Sequence, residues 1–423
     1  GSELFIRVWF ESLDANRLQS EPLLARFRTA PGARRAIRFL WSGDTAGQGW
    51  GIDLAAGGMQ IYESMRNTKP DFFIHSGDNI YADGPMTQEV KDRSGAVIWR
   101  NAFLDVIPEK LKVAETLQEF RRAYLYNRYD QHLRAFSAEV PQIWQWDDHE
   151  VLNNWSNSSV LDARYTERRV QTLAAYANRA FLEYSPLRWS SLEDSERIYR
   201  HLPYGPDLDV FVLDLRSYRA GNSCNTQPQP GPETAYFGRA QLDWLKDKLK
   251  HSKATWKAIA CDMPLGLLVG DGLDPVSNCP RYDNSANGDG PVLGRELEIA
   301  ELLRFVKTNG IRHLVWFTAD VHYAAAHYYN PALARFRDFE PFWEFVAGPL
   351  HAGAFGPNLL DDTFGPTVIF QKAPPEGQAN QPPSAGFQAF GQVDIDPRSK
   401  DMLVTLKDGS GAELFKQRLK FRS

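Results

Sequence analysis

Pro70-Asp71-Phe72-Phe73-Ile74-His75-Ser76-Gly77-Asp78-Asn79-Ile80-Tyr81-Ala82-Asp83 is an apolar run that stops at a glycine and then presents a carboxylate and a phenol. Residues 70–75 read as a buried strand, and Ser76-Gly77-Asp78 as the turn that ends it. A plain Gly-Asp turn with a core tyrosine three residues on accounts for this stretch taken alone. Its neighbours repeat the pattern. Upstream, Ile37-Arg38-Phe39-Leu40-Trp41 ends in Ser42-Gly43-Asp44. Downstream, Pro141-Gln142-Ile143-Trp144-Gln145-Trp146 ends in Asp147-Asp148-His149-Glu150, and residues 208–213 end in Asp214-Leu215-Arg216. Trp256-Lys257-Ala258-Ile259-Ala260 ends in Cys261-Asp262-Met263-Pro264, and residues 313–317 end in Thr318-Ala319-Asp320-Val321-His322.

Helical spacing separates these strands at 58–65, 109–137, 160–184, 238–250 and 294–308, so the chain reads as α/β. Open α/β sheets collect their ligand sites at the carboxyl ends of the strands. Six such loops on one sheet edge would pool acidic groups that repel one another unless cations neutralise them. That crowding predicts a metal site. Segments 84–108 and 266–293 carry neither period and read as long loops, each a candidate lid.

Bulk composition narrows the choices. The 423 residues carry a net charge of -5, with 43% hydrophobic and 24% charged residues, which is ordinary for a globular enzyme. Nothing in that balance points to nucleic acid or an anionic membrane surface as partner. No apolar run reaches the roughly 18 residues of a membrane span. Twelve Trp suggest either an aromatic core or a stacking surface for sugars or bases. Cys224, Cys261 and Cys279 fit no metal-binding spacing; Cys224 and Cys279 lie in loop-like stretches and would pair in an oxidising compartment. Gly1-Ser2 reads as an expression scar. Residues 1–33 are expected to form a β-rich remnant of a truncated N-terminal domain, or a hairpin docked on the main body at 34–423.

The strand-end motifs, in this order, resemble the PhoD-type alkaline phosphatase/phosphodiesterase family of metallophosphoesterases. Gly77-Asp78-Asn79-Ile80-Tyr81 is similar to the GDxxY block, shared with purple acid phosphatases, in which the Asp bridges two metals and a phenolate binds ferric iron. Trp146-Asp147-Asp148-His149-Glu150 resembles the Gly-Asn-His-Glu block, with Asp148 at the ligand position and His149 as the catalytic imidazole. Thr318-Ala319-Asp320-Val321-His322 resembles the Gly-His-x-His block with Asp320 replacing the first His. Asp44 stands where the first block places its Asp, without the companion His and without the Cys that such enzymes often carry nearby. Asp262 stands at the His of the middle block, against the alternative of a plain strand-end aspartate. The resemblance covers roughly 37–356, including Trp343 to Gly353.

It implies a four-layer sandwich of two mixed β-sheets flanked by helices. It also implies a first metal site of Asp44, Asp78, Tyr81 and His322, and a second of Asp78, Asp148, Asp262 and Asp320. A phenolate, carboxylates and one imidazole suit Fe(III); an all-carboxylate set suits Ca, with Mn, Mg or Zn as alternatives. Two such metals lower the pKa of a bridging water and neutralise phosphate oxygens. His149 would then protonate the leaving alkoxide as general acid. Arg216 is expected either to hold a phosphate oxygen or to pair with Asp214 or another carboxylate. Asn154 and His351, with Asn153, are further candidates for substrate contact, while His75 reads as structural.

The function expected is hydrolysis of small-molecule phosphate esters, diesters first and monoesters second. The competing readings are a phosphotriesterase and a glycan- or calcium-binding protein on the same scaffold. By the same resemblance the protein is periplasmic or secreted.

Overall fold

The computed structural model describes every residue except Ala15, 189–196, Asp289 and Ser423. Thirteen strands form two mixed sheets. The six-stranded sheet runs Glu413–Leu419, Met402–Asp408, Ala389–Ile395, Ile37–Ser42, Phe72–Ser76, Gln142–Gln145, the last three mutually parallel. The seven-stranded sheet runs Pro366–Lys372, Ala324–Tyr329, Phe342–Val346, Leu314–Thr318, Trp256–Ala260, Leu208–Val212, Arg200–Pro203. Its four strands from Leu208–Val212 to Phe342–Val346 are parallel, and antiparallel strands close both sides.

Strand periodicity explains the layering. Phe39 and Trp41 point between the sheets and join Val210, Val212, Ala258, Phe317 and Phe345 in a core shared by both. Leu40 and Phe73 point outward against the helix Ile61–Asn67 and Phe136. On the far side Phe211, Ile259 and Trp316 are covered by the helices Arg239–His251 and Glu296–Thr308. The result is the expected α/β/β/α sandwich. One feature of the sequence reading changes: the six carboxylate-bearing strand ends do not share one sheet. Three belong to each sheet, and face-to-face packing brings the two edges together.

Two helical expectations shorten. The stretch 109–137 breaks into Leu117–Asn127 and Gln131–Glu139, because Asp130 accepts the His132 and Leu133 amides and starts a new helix. The stretch 160–184 is helical only from Val170 to Tyr184. Upstream, Asp162 takes the Arg164 amide in a local turn, and such side chains compete with helix formation. The two segments read as loops each carry a hairpin, Glu89–Lys91 with Val97–Arg100 and Gly270–Leu273 with Pro280–Tyr282. Cys224 and Cys279 form a disulfide, which ties the second hairpin to the chain after Arg216. The N-terminal strands Glu3–Val8 and Leu23–Arg28 pair as an exposed hairpin, held to the main body in part by the Arg26–Glu139 ion pair. Among the described residues eight of eleven Trp are buried, so the aromatic excess mainly fills cores.

Candidate metal centre

The convergent strand ends bring Asp44, Asp78 and His322 within ligand distance of one another, and all three are buried. Asp44, Asp78, Asp320 and His322 all adopt left-handed backbone conformations, with φ between 51° and 70°. Non-glycine residues pay for that conformation, and such strain gathers at functional sites. Tyr81 stands with them, its hydroxyl 3.0 Å from His322 Nε2. Gly47 makes room for the phenol, since a Cβ there would lie 2.1 Å from the ring.

His322 is held in one tautomer. Its Nδ1–H donates to the Gly353 carbonyl, so Nε2 turns a lone pair toward Tyr81 and toward Asp44, 3.7 Å away. Burial lowers the imidazole to about 4 and keeps it neutral. Neither carboxylate oxygen of Asp44 has a hydrogen-bond partner. Burial, and then the charges of nearby carboxylates, push Asp44 and Asp78 well above the usual carboxylate range. Burial, then Asp78 and Asp44, likewise raises the Tyr81 phenol. Orphaned anionic donors beside a neutral imidazole lone pair form a donor set that a cation satisfies. The residues fit a metal ion.

A second group, Asp147, Asp148 and Asp320, meets the first through Asp78, which also lies within ligand distance of Asp148 and His149. Burial and carboxylate neighbours raise Asp320 and Asp262 strongly. Asp262 is completely buried at its strand end, 3.6 Å from Arg216 Nε, and does not join that group. Asp147 takes a place there that sequence reasoning gave only to Asp148.

His149 lies over the first group, its ring centroid 4.3 Å from that of Tyr81. Nδ1 is 2.7 Å from Asp83 Oδ1, and Nε2 is 4.0 Å from Asp148 Oδ1. Burial lowers its affinity for a proton, but Asp148 and Asp83 outweigh that and push it up to about 9. Asp83 also accepts the Asn153 amide. It was missed because its role depends on an imidazole 66 residues away, although it ends the GDxxY stretch.

Glu150 was also missed as an organiser. Its carboxylate accepts the backbone amides of Asp78, Asn79 and Asp147, tying the two ligand loops together.

The residues expected at the substrate divide. Arg216 is completely buried; its carboxylate partners are Asp147 and Asp283, while Asp214 accepts only its backbone amide. His351 turns its ring away, with Nε2–H donating to the Gly51 carbonyl, and its backbone amide donates to the Asp44 carbonyl oxygen. Asn154 is partly exposed; its amide donates to Asp148 and its side chain to Asp271 of the second hairpin. Asn153 is exposed. His75 is structural, bonded to the Thr45 hydroxyl.

The family described as PhoD-like phosphatase matches residues 39–406. Alkaline phosphatase D of Bacillus subtilis (strain 168) is 30% identical over 311 residues, which cover 71% of this chain. The match spans 50% of that relative's length. Among solved structures, one titled as PhoD aligns over 95% of this chain and 72% of its own, with a TM-score of 0.64 and 22% identity. A purple acid phosphatase from yellow lupin (Lupinus luteus) seeds aligns over 99% and 59%, with a TM-score of 0.54 and 11% identity. At those identities the structural likeness concerns the fold alone. Among the described residues no helix is long and apolar enough to cross a membrane.

Proposed function

The chain belongs to the PhoD-like phosphatase family, and from that premise we propose that it is a metal-dependent phosphoesterase acting on phosphodiesters, with monoesters as a second substrate class. One observation carries this reading: the His149 imidazole lies over a buried donor set of Asp44, Asp78, Tyr81 and His322, its ring centroid 4.3 Å from that of Tyr81. A pure cation-binding site has no use for a general acid at that place.

Asp44, Asp78, Tyr81 and His322 would hold the first metal. Their mixture of carboxylates, phenol and imidazole suits Fe(III). Asp148 and Asp320, with Asp78 and Asp262, would serve the second; oxygen donors alone favour hard cations such as Ca, Mg or Mn over Zn, and Ca is the one that the family resemblance implies. When bound, such a pair acidifies water into a nucleophile and neutralises phosphate charge.

The remaining chemistry belongs to the chain. His149 carries its transferable proton on Nε2 and delivers it to the leaving alkoxide, while Asp83 holds Nδ1–H and fixes the ring. Asn154, tied to Asp148 by its backbone, would contact substrate. The Cys224–Cys279 disulfide supports an oxidising compartment and so an exported, periplasmic or secreted protein.

The test is hydrolysis of bis(p-nitrophenyl) phosphate beside p-nitrophenyl phosphate, with Asp78→Asn as control. Diester turnover lost in Asp78→Asn supports the reading. Failure of metal-loaded wild type on both esters refutes it.

A further inference from the structure

Residues 350–353 form a strap whose backbone holds the first ligand group. The Leu350 amide donates to the Gly43 carbonyl at 2.8 Å and the His351 amide to the Asp44 carbonyl at 2.9 Å. The His351 carbonyl accepts the Ala46 amide at 2.7 Å, and the Gly353 carbonyl takes Nδ1–H of His322. The side chains of Leu350 and His351 line a cavity of about 340 Å³, bounded further by Ile61, Trp99, Gln388 and Asp408. None of the strand-end carboxylates lines it, nor does Tyr81 or His322, so it is separate from the metal centre.

Its polar lining consists of acceptors. Burial lowers the His351 pKa and keeps the ring neutral; Nε2–H is engaged with the Gly51 carbonyl, so Nδ1 offers a lone pair. Gln388 donates its amide hydrogen to the Ala352 carbonyl, and its buried Oε1 has no hydrogen-bond partner. Asp408 supplies a carboxylate, whose Oδ1 accepts the Ser410 hydroxyl and the Ser410 and Ala412 amides. Burial would raise its pKa, but those bonds, with a smaller pull from Lys372, keep it below the usual range. Among the described residues no lysine or arginine lines the cavity. An anion, a second phosphate included, has no complement there, whereas a cationic group rich in N–H donors does. Ile61, Leu350 and Trp99, whose ring lies 5.7 Å from that of His351, make the rest of the wall apolar.

We propose that this cavity is a binding site for a small primary amine with an apolar body, and that its occupant is sensed at the first ligand group through residues 350–353. The ammonium finds its acceptors among Asp408, Gln388 and His351, and the apolar body covers Trp99 and Leu350. A ligand that fixes the strap favours the arrangement in which Asp44 and His322 hold an ion, and by reciprocity the ion favours the ligand. The sensing, though not the binding, rests on the assignment of Asp44, Asp78, Tyr81 and His322 as metal ligands.

Binding is read by calorimetry on protein purified with Fe and Ca available, using 2-phenylethylamine, 2-phenylethanol and phenylacetate, three probes of similar shape. The amine should bind at least tenfold more tightly than the alcohol, and the acid not measurably. Asp408→Asn should remove that preference, and Gln388→Met should weaken the amine at least threefold. Equal affinities for amine and alcohol, or a preference for the acid, would overturn the site. So would an amine affinity indifferent to both substitutions. Sensing is read as the rate of metal loss to a chelator, which saturating amine should slow at least threefold in wild type and not in Asp408→Asn. An unchanged rate in wild type would overturn the sensing. A wild type that takes up no metal would refute the metal reading and the sensing with it, while calorimetry on the same protein would still decide the site.

Discussion

Nδ1 of His149 lies 2.7 Å from Oδ1 of Asp83, and the two residues come from loops at the ends of adjacent parallel strands. Burial lowers the imidazole, but Asp148 and Asp83 prevail and push it up to about 9. A general acid works in its protonated form, so activity falls as pH rises past that value. Asp83→Asn removes one supporting charge and should move the alkaline limb of the kcat profile to lower pH. A kcat loss of about tenfold to a hundredfold is expected, with KM little changed. An unchanged profile would remove His149 from the acid role.

Tyr81 should announce its metal. A phenolate on Fe(III) absorbs visible light, so wild-type protein should be coloured and Tyr81→Phe should lose the band. The ring is buried in its pocket, and Phe fills nearly the same volume, so stability should change by less than about 1.5 kcal/mol. Colourless wild type without iron would exclude Fe(III) at this position.

Glu150 joins the two ligand loops, and its removal strands the amides of Asp78, Asn79 and Asp147. Each unsatisfied buried donor costs about 1–3 kcal/mol. Glu150→Ala should therefore lose about 3 kcal/mol or more in urea unfolding and retain less metal. Glu150→Gln, which keeps an acceptor, should lose less. Equal stability of all three proteins would deny the organising role.

Acid sensitivity should have a contribution from His75. Burial lowers its imidazole to about 3, whereas the unfolded side chain titrates near 6.5. The native state then binds fewer protons, so this stabilisation is complete above about pH 6.5 and is lost as pH falls toward 3. Between pH 6.5 and pH 5 that amounts to about 2 kcal/mol. The stability difference between these two pH values should shrink by about that amount in His75→Gln, measured by urea unfolding.

The disulfide joins residues 55 apart, and cross-links of that span contribute about 2–4 kcal/mol through the unfolded chain. The double variant Cys224→Ser/Cys279→Ser should unfold at correspondingly lower urea concentration. An unchanged midpoint would show that the hairpin is held by Asp271, through Asn154 and Asn222, instead.

Much of the centre was legible because apolar strand and polar turn meet so sharply in this chain. Ile37–Ser42, Phe72–Ser76 and Trp256–Ala260 are announced by their own side chains, and the carboxylates follow within a few residues. Asp283 was hidden for the opposite reason. It lies in a Gly-, Asp- and Asn-rich stretch with no period, and its meaning appears only when Arg216 and Arg219 reach it. His351 shows the reverse case: its place in a family-like stretch suggested substrate contact, but its ring bonds to Gly51.

Local periodicity, set by side-chain transfer from water and by backbone sterics, was enough to determine where strands end and which acids stand there. It could not say which of two sheets each strand joins, because partners such as Gly391 and Trp41 are far apart in sequence. Nor could it say whether Arg216 faces substrate or carboxylates. Three acids from different loops converge on that guanidinium only after the sheets pack, and burial then makes their pairing decisive.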